Sequence, residues 1–392
     1  MSHTLINRNN DLRRLVDEGF EVEVRAEPLL LLLKNIPYVN QSRTVKRGTL
    51  VSELTLRGDA TQRPSAHDVW FVGDAPCDQL GQVLQEIYLS NAIRDFGGGI
   101  VAKHQFSRKP PEGYSDYYQK MTTYENIIST PAQAIDHGAT SRTFAIHEVG
   151  DNESVFKYHD TASSRAGIGA ATEKLSKSVV AIVGLGGTGS YILDLVAKTP
   201  VREIHLFDGD QFGQHNAFRS PGAPSIEALE AKPMKTEYFK NIYSRMQNRI
   251  VTHGYVDGST VHCLRQMDFV FIAVDKGSVR KLLVENLNEF SVPYIDVGMD
   301  VEDVENSLRG TLRVTTSTDQ SRDQVQPTLP LADRDVEDEY SRNIQIADLN
   351  ALNATLAVIK WKKIRGFYVD LEMEHTCLYE IDGNNLINED QA

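Results

Sequence analysis

The sequence predicts an α/β protein: a Rossmann-like, doubly wound, mainly parallel sheet with antiparallel C-terminal strands, preceded by a smaller α+β domain. Three observations carry this expectation. Val179–Val183 and Phe269–Val274 are continuous apolar runs, as a parallel strand covered on both faces requires. Strand and helix patterns alternate after residue 170, which implies crossover units rather than hairpins. The first apolar run also leads directly into Gly184-Leu185-Gly186-Gly187-Thr188-Gly189, a glycine-rich turn of the kind that brings backbone N–H groups to phosphate at a helix start.

The element order follows from composition and periodicity. Residues 1–150 form the first domain, with a helix at Asn10–Glu18 and strands at Glu21–Val24, Leu29–Leu33, Leu50–Leu56 and Val69–Val72. A helix is expected at Gln79–Arg94, followed by a Pro/Gly/Tyr-rich stretch at Lys109–Tyr118. Turn chemistry at Gly150–Glu153 and Ser163–Gly167 marks a linker, so the second domain is 151–392. There the order is helix Ala170–Ser176, strand Val179–Val183, helix Gly189–Ala197, strand Glu203–Phe207, helix Lys235–Ser244, strands Ile250–Tyr255 and Phe269–Val274, helix Gly277–Asn288 and strand Tyr294–Val297. Gly310–Thr316 reads as an antiparallel strand, Leu349–Lys363 as a helix, and Tyr368–Leu371, Thr376–Ile381 and Leu386–Asn388 as strands. Ser317–Glu339, polar and Pro-containing, is expected to be a mobile crossover loop.

Composition narrows the function classes. A net charge of −13 over 392 residues argues against nucleic acid and against an anionic membrane surface as partners. Three scattered cysteines, Cys77, Cys263 and Cys377, make no disulfide framework and point to a reducing compartment. The N-terminus lacks an apolar signal core and the longest apolar run, Leu29–Leu33, is too short to span a bilayer. The expected location is cytoplasmic.

The glycine turn and Asp208 alone do not separate NAD from ATP, because a dinucleotide dehydrogenase also places an acidic residue after its second strand. The residues that follow make the distinction. Asp208-Gly209-Asp210 ends the second strand, then come Asn216 and Arg219, then Lys232, then Asp275 after the next apolar run. Hydride transfer has no use for an Arg, a Lys and a further carboxylate in this order, whereas a magnesium-bound triphosphate does. Arg offers a planar fork to phosphate oxygens, Lys a point charge and Asp an oxygen ligand for the metal. Taken singly, each residue has a structural use as a loop cap or a solvated charge. Their joint spacing favours chemistry.

On these residues the chain resembles the ubiquitin-activating-enzyme superfamily, specifically adenylating domains of the ThiF/MoeB/HesA type. The resemblance runs from Tyr158 to the C-terminus. It rests on the GxGGxG loop (Gly184, Gly186, Gly187, Gly189), the Asp-x-Asp strand end, Asn-x-x-Arg, the Lys thirteen residues beyond that Arg, and the Asp closing the next strand. It implies ATP-dependent adenylation of the C-terminal carboxylate of a ubiquitin-like protein, with Asp208 on the ribose, Asn216, Arg219 and Lys232 on the phosphates, and Asp275 on magnesium. It also implies a symmetric homodimer, in which Arg165 is the candidate for an arginine reaching the partner's triphosphate, and a conjugating enzyme as a possible downstream partner. Activation of a sulfur carrier for cofactor biosynthesis shares the first step and stands as an alternative. A non-catalytic partner-binding pseudo-enzyme is the alternative from another class, disfavoured by the intact Arg219, Lys232 and Asp275. Residues 1–150 look like the uncharacterised domain that accompanies adenylating domains in some bacterial ubiquitin-like operons.

Departures from the family restrict the mechanism. The chain has no paired Cys-x-x-Cys for a structural zinc, and Ser317–Glu339 holds no cysteine for a thioester. Cys263, just ahead of a core strand, is expected to be buried, and Cys377 falls in an expected strand. Cys77 sits in an expected loop between Asp74 and Asp78, whose charges raise rather than lower a thiol pKa.

Overall fold

The computed structural model describes residues 5–6, 8–146, 154–332 and 344–388. Its contacts divide the chain into two compact units, Met1–Glu153 with Tyr158–Gly167, and Ser154–Lys157 with Ile168–Ala392. The expected linker residues Gly150–Glu153 lie outside the described residues.

The first unit is an antiparallel sheet with helices packed on it. Helix α1 (Asn10–Asp17) leads into strands β1 (Glu21–Ala26), β2 (Leu29–Val39), β3 (Val45–Glu53), β4 (Asp68–Val72), β5 (Tyr88–Ser90) and β6 (His104–Ser107), in spatial order β1-β2-β3-β4-β6-β5. Strand β2 buries Leu31, Leu33, Ile36 and Tyr38 in the main core of this unit and Leu30 and Leu32 in a smaller cluster with Trp70 and Phe96, so its apolar run serves both faces. Helix α2 (Tyr117–Ile135) packs against β2, capped by Asp116, whose carboxylate accepts from the Gln119 N–H at 2.7 Å. A short helix α3 (Thr161–Arg165) follows in the same unit.

Two expectations for this unit are corrected. No helix spans Gln79–Arg94; the chain makes turns and short strands there. Asp78 explains the start, because its carboxylate accepts from the Leu80 and Gln82 N–H groups, both at 2.9 Å, an Asx-type arrangement that competes with helix initiation. The long helix α2 was not expected. Its sequence carries Thr122, Thr123, Ser129, Thr130 and Pro131, which weaken helical propensity, and tertiary burial of Met121, Tyr124 and Ile128 overrides it.

The second unit is an eight-stranded mixed sheet. After α4 (Gly169–Glu173) come β7 (Val179–Val183), α5 (Gly187–Ala197), β8 (Glu203–Phe207), α6 (Gln214–Ala217), α7 (Ile226–Glu230), α8 (Lys235–Tyr243), β9 (Ile250–His253), β10 (Phe269–Ile272), α9 (Gly277–Phe290), β11 (Tyr294–Val304) and β12 (Ser307–Ser317). Then follow α10 (Arg322–Val325), α11 (Ala347–Ile364), β13 (Thr376–Glu380) and β14 (Asn385–Asn388). The strand order is β9-β8-β7-β10-β11-β12-β13-β14, parallel from β9 to β11 and antiparallel from there to β14. The order reverses at β7, with β8 on one side and β10 on the other, and the glycine turn leaves the carboxyl end of β7 at that switch point. All five residues of β7 are buried, Val180 and Ile182 in one core and Val179, Ala181 and Val183 in the other.

Three details differ from expectation here. Tyr368–Leu371 is not a strand; Asp370 instead takes a 2.9 Å bond from Lys360 and its other oxygen accepts from the Met373 N–H. Cys263 lies in a 3₁₀ turn, Val261–Gln266, and is only half-buried. Within Ser317–Glu339 the chain forms α10 and a 3₁₀ turn at Gln326–Thr328; residues 333–339 lie outside the described residues. Among the described residues no helix is long and apolar enough to cross a membrane.

Candidate nucleotide site

The switch point places the glycine turn against the end of β8. The Gly184 N–H donates to the Phe207 carbonyl at 2.8 Å, and the Leu185 N–H donates to the Asp208 carboxylate at 2.7 Å. The other Asp208 oxygen accepts from the Asp210 N–H at 2.8 Å, so this carboxylate, 8% exposed, is pinned by backbone on both sides. Gly184 adopts φ +90°, and an added Cβ would collide with the Ala273 carbonyl, which accounts for glycine at this turn. Helix α5 starts at Gly187 with Gly186 as its N-cap.

Asp210 is engaged from two sides. Lys235, the first residue of α8, places Nζ 2.8 Å from Asp210 and 3.6 Å from Asp208, and the Tyr255 hydroxyl donates to the second Asp210 oxygen. Burial would raise the Asp210 pKa, but the bonds from Lys235 and Tyr255 outweigh it and hold the carboxyl below its usual range. The same bond to Asp210 pushes the Tyr255 phenol up to about 12.

Asn216 and Arg219 are held by the short helix α6 and the turn after it. Asn216 is buried, its Oδ1 accepting from the Gly213 N–H at 2.9 Å, while its Nδ2 has no partner; the Nε of Arg219 is likewise buried without one. Burial depresses the Arg219 pKa, and the nearby Asp275 carboxylate partly offsets that. Burial and the positive charges of Arg219 and Lys235 also lower the pKa of His215. Asp275 is exposed between β10 and α9. Asn350 on α11 braces this side, accepting from the Thr188 hydroxyl at 2.9 Å and donating to the Arg219 carbonyl at 3.4 Å.

The structure therefore brings together Gly184, Gly186, Gly187, Gly189, Asp208 and Asp210, and sets Arg219 within electrostatic reach of Asp275. Lys232 makes no ion pair with these carboxylates among the described residues. Lys232 is exposed, in the connection before α8, and the buried cation beside the two aspartates is Lys235, three residues on. Spacing from Arg219 selected Lys232; the signal for Lys235 was its place as the first residue of the expected helix Lys235–Ser244. Arg165 belongs to the first unit, where its guanidinium donates to the Asp17 carbonyl at 2.9 Å and lies over the Phe144 ring. Tyr255 and Asn350 carried no motif and were not anticipated.

Two unpartnered buried donors, a helix start with open space over Gly186, and a clustered pair of aspartates with a lysine make a fit for an anionic nucleotide. Among the described residues no group of three or more His, Cys, Asp or Glu side chains is arranged to hold a metal ion. A cation here would thus take most of its oxygen ligands from phosphate and water, in the manner usual for magnesium.

Comparison with known proteins defines the class of this unit. Residues 160–322 match the ThiF family and residues 10–161 match a domain of unknown function, DUF6791. The chain carries a ThiF family domain. Its curated relatives include ubiquitin-like modifier-activating enzyme 5 of Culex quinquefasciatus, 26% identical over 212 residues that cover 50% of this chain and 47% of that protein. The protein of the same name from Aedes aegypti is 24% identical over 190 residues, covering 44% of this chain and 45% of its own. The chain thus spans about half the length of the curated relatives it matches. Among solved structures, E. coli MccB with ATP overlays 56% of this chain and 65% of its own at 18% identity and a TM-score of 0.44.

Proposed function

We propose that this protein uses ATP and magnesium to adenylate the C-terminal carboxylate of a ubiquitin-like protein, releasing pyrophosphate. The observation that carries the reading is the pair of unpartnered buried donors, Asn216 Nδ2 and Arg219 Nε, with Arg219 tied through Asn350 to Thr188 of the glycine turn and within electrostatic reach of Asp275. The ThiF match over this segment and relatives named as ubiquitin-like modifier-activating enzymes support the substrate class.

In the proposed reaction a carboxylate oxygen bonds to the α-phosphorus as the bond to the pyrophosphate oxygen breaks. The obstacle is repulsion between carboxylate and triphosphate, and fixed cations lower it electrostatically without a covalent residue. Arg219, desolvated before ligand arrives, supplies directed positive charge, and the N–H groups at the start of α5 face an incoming phosphate. Asp208 accepts hydroxyls of the ribose while the Leu185 and Asp210 N–H groups hold it in place. Asp275 would be the protein's ligand for magnesium, which when bound would supply neutralising charge for the departing pyrophosphate.

Two of the three cysteines, Cys77 and Cys377, are poorly suited to carry a thioester, which favours a reaction that stops at the adenylate. Burial raises the thiol pKa of both Cys77 and Cys377, reinforced at Cys77 by Asp78 and at Cys377 by Glu374. Cys77 is fully buried, with its N–H donating to the Val39 carbonyl at 2.7 Å. A second protein would then accept the activated carboxylate. The test is ATP–pyrophosphate exchange with candidate ubiquitin-like tails. Exchange is expected with the cognate tail and lost in Asp275→Ala, for which a single electrostatic contact commonly contributes about 10²–10³ in rate. Exchange at the wild-type rate in Asp275→Ala would overturn that assignment.

A further inference from the structure

Arg280, on the first turns of α9, reaches three separate pieces of chain with three different nitrogens. Its Nε donates to Asp296 on β11 at 2.8 Å, Nη2 donates to the Val274 carbonyl, and Nη1 donates to the Pro330 carbonyl at 3.0 Å. Val274 immediately precedes Asp275; Pro330 follows the 3₁₀ turn Gln326–Thr328 on the chain leaving β12. Asp296 is fully buried, and its second oxygen accepts from Arg313 on β12 at 2.6 Å. Arg313 otherwise donates to Thr315, also on β12, and so stays within the sheet.

Both arginines neutralise Asp296, yet only Arg280 touches the two loops. A lysine at 280 would preserve the charge beside Asp296, but a single ammonium on a flexible stem cannot reproduce a planar fork aimed at three acceptors. Arrangement, rather than charge alone, is what arginine contributes here. We propose that Arg280 is a positioning residue, fixing the backbone beside Asp275 and the segment at Pro330 in one setting, with Asp296 and Arg313 holding its own guanidinium. This rests on the reading of Asp275 as the residue that binds magnesium. Loss of the fork would let the Asp275 loop move, so that metal binds a population of loop conformers instead of one.

The comparison that tests it is Arg280→Lys against Arg313→Lys in the full chain. Both substitutions weaken the pairing of Asp296 and both are expected to lower Tm. Only Arg280→Lys should raise the magnesium concentration for half-maximal ATP–pyrophosphate exchange, by about tenfold if one directed hydrogen bond to the loop is lost. Only Arg280→Lys should speed hydrogen exchange in peptides covering both 273–277 and 328–332, measured without substrate. Equal effects of the two variants on both readouts, or an unshifted magnesium requirement in Arg280→Lys, would overturn the proposal. If the wild-type protein catalyses no exchange with any tail, the adenylation reading fails. The magnesium readout then falls with it, and hydrogen exchange alone decides whether Arg280 joins the two loops.

Discussion

Gly186 and Gly189 lie three residues apart in the same turn and should fail in opposite ways when changed to alanine. At Gly186 the backbone is extended, with φ −71° and ψ −150°, and an added Cβ meets nothing within 4 Å. Gly186→Ala should therefore change stability by no more than about 0.5 kcal/mol. At Gly189 an added Cβ would run into the Gly184 carbonyl and come 3.2 Å from the Ala273 side chain. Relief requires α5 to move off the end of β7, and overpacking of this kind costs about 1–3 kcal/mol. Binding separates the two differently. The empty space over Gly186 is where phosphate oxygens must come to reach the N–H groups at the start of α5, and a methyl there keeps them out. Loss of one hydrogen bond to a charged group corresponds to about 1.5–3 kcal/mol, or roughly ten- to hundredfold in affinity. Urea denaturation gives the stability term, and calorimetric titration with a non-hydrolysable ATP analogue and magnesium gives the binding term. A folded Gly186→Ala protein that binds the analogue as tightly as wild type would refute the placement of the triphosphate at this turn.

Lys235→Met should destabilise the second unit and abolish pyrophosphate exchange, because it leaves Asp208 and Asp210 without their cation, whereas Lys232→Met should stay within about 0.5 kcal/mol of wild type in denaturant titration. The Asp210 carboxyl titrates below its usual range, so the stability it contributes is present above the unfolded pKa near 4 and is lost as pH falls through the lower folded value. Asp210→Asn should accordingly flatten the acid limb of a pH series of urea midpoints below about pH 4, and an unchanged acid limb would count against the bond to Lys235. With both thiols raised by burial, Cys77 and Cys377 should resist iodoacetamide at pH 7.5 until denaturant is added, and a non-reducing gel of enzyme, ATP and tail should show no thiol-sensitive adduct. An adduct lost in Cys77→Ser would give the first unit a transfer role.

How far the sequence reads depends on what fixes each element. β7 was placed to the residue because a central parallel strand is an unbroken apolar run, here ended by Gly184, and β8, whose run is interrupted by His205, was placed by the Asp208-Gly209-Asp210 turn that closes it. The edges read less well. The strand expected over Tyr294–Val297 continues to Val304, because its second half pairs with β12 in a long antiparallel ladder whose residues are largely exposed and carry no apolar signature. In the first unit the helical-looking run after Gln79 yields to an Asx turn at Asp78. Helix α2 is invisible locally because its stability comes from packing on β2.

The lysine of the site shows the same limit in chemical form. Spacing from Arg219 is a one-dimensional criterion, and an irregular connection such as Ala231–Met234 can hold extra residues without moving the helix that follows. Burial selects differently: of the two lysines, Lys232 is exposed, whereas Lys235 is kept almost wholly from water beside two carboxylates. That pairing also divides labour among the cations. Lys235 is neutralised before any ligand arrives and holds the Asp208–Asp210 turn against α8, so a phosphate gains little from it unless Asp210 is displaced. Arg219 is desolvated, with Nε unpartnered and Asp275 as the carboxylate in electrostatic reach, so in the proposed reaction the phosphate charge would fall mainly to it. The separation has a measurable consequence in Asp210→Asn, which removes the shorter of the two carboxylate contacts of Lys235 and leaves the 3.6 Å contact with Asp208. If Lys235 is already in use by phosphate, that variant should bind the ATP analogue no tighter than wild type. If Arg219 carries the phosphate alone, loosening Lys235, now paired with Asp208 only, adds positive potential beside the site and the analogue should bind more tightly.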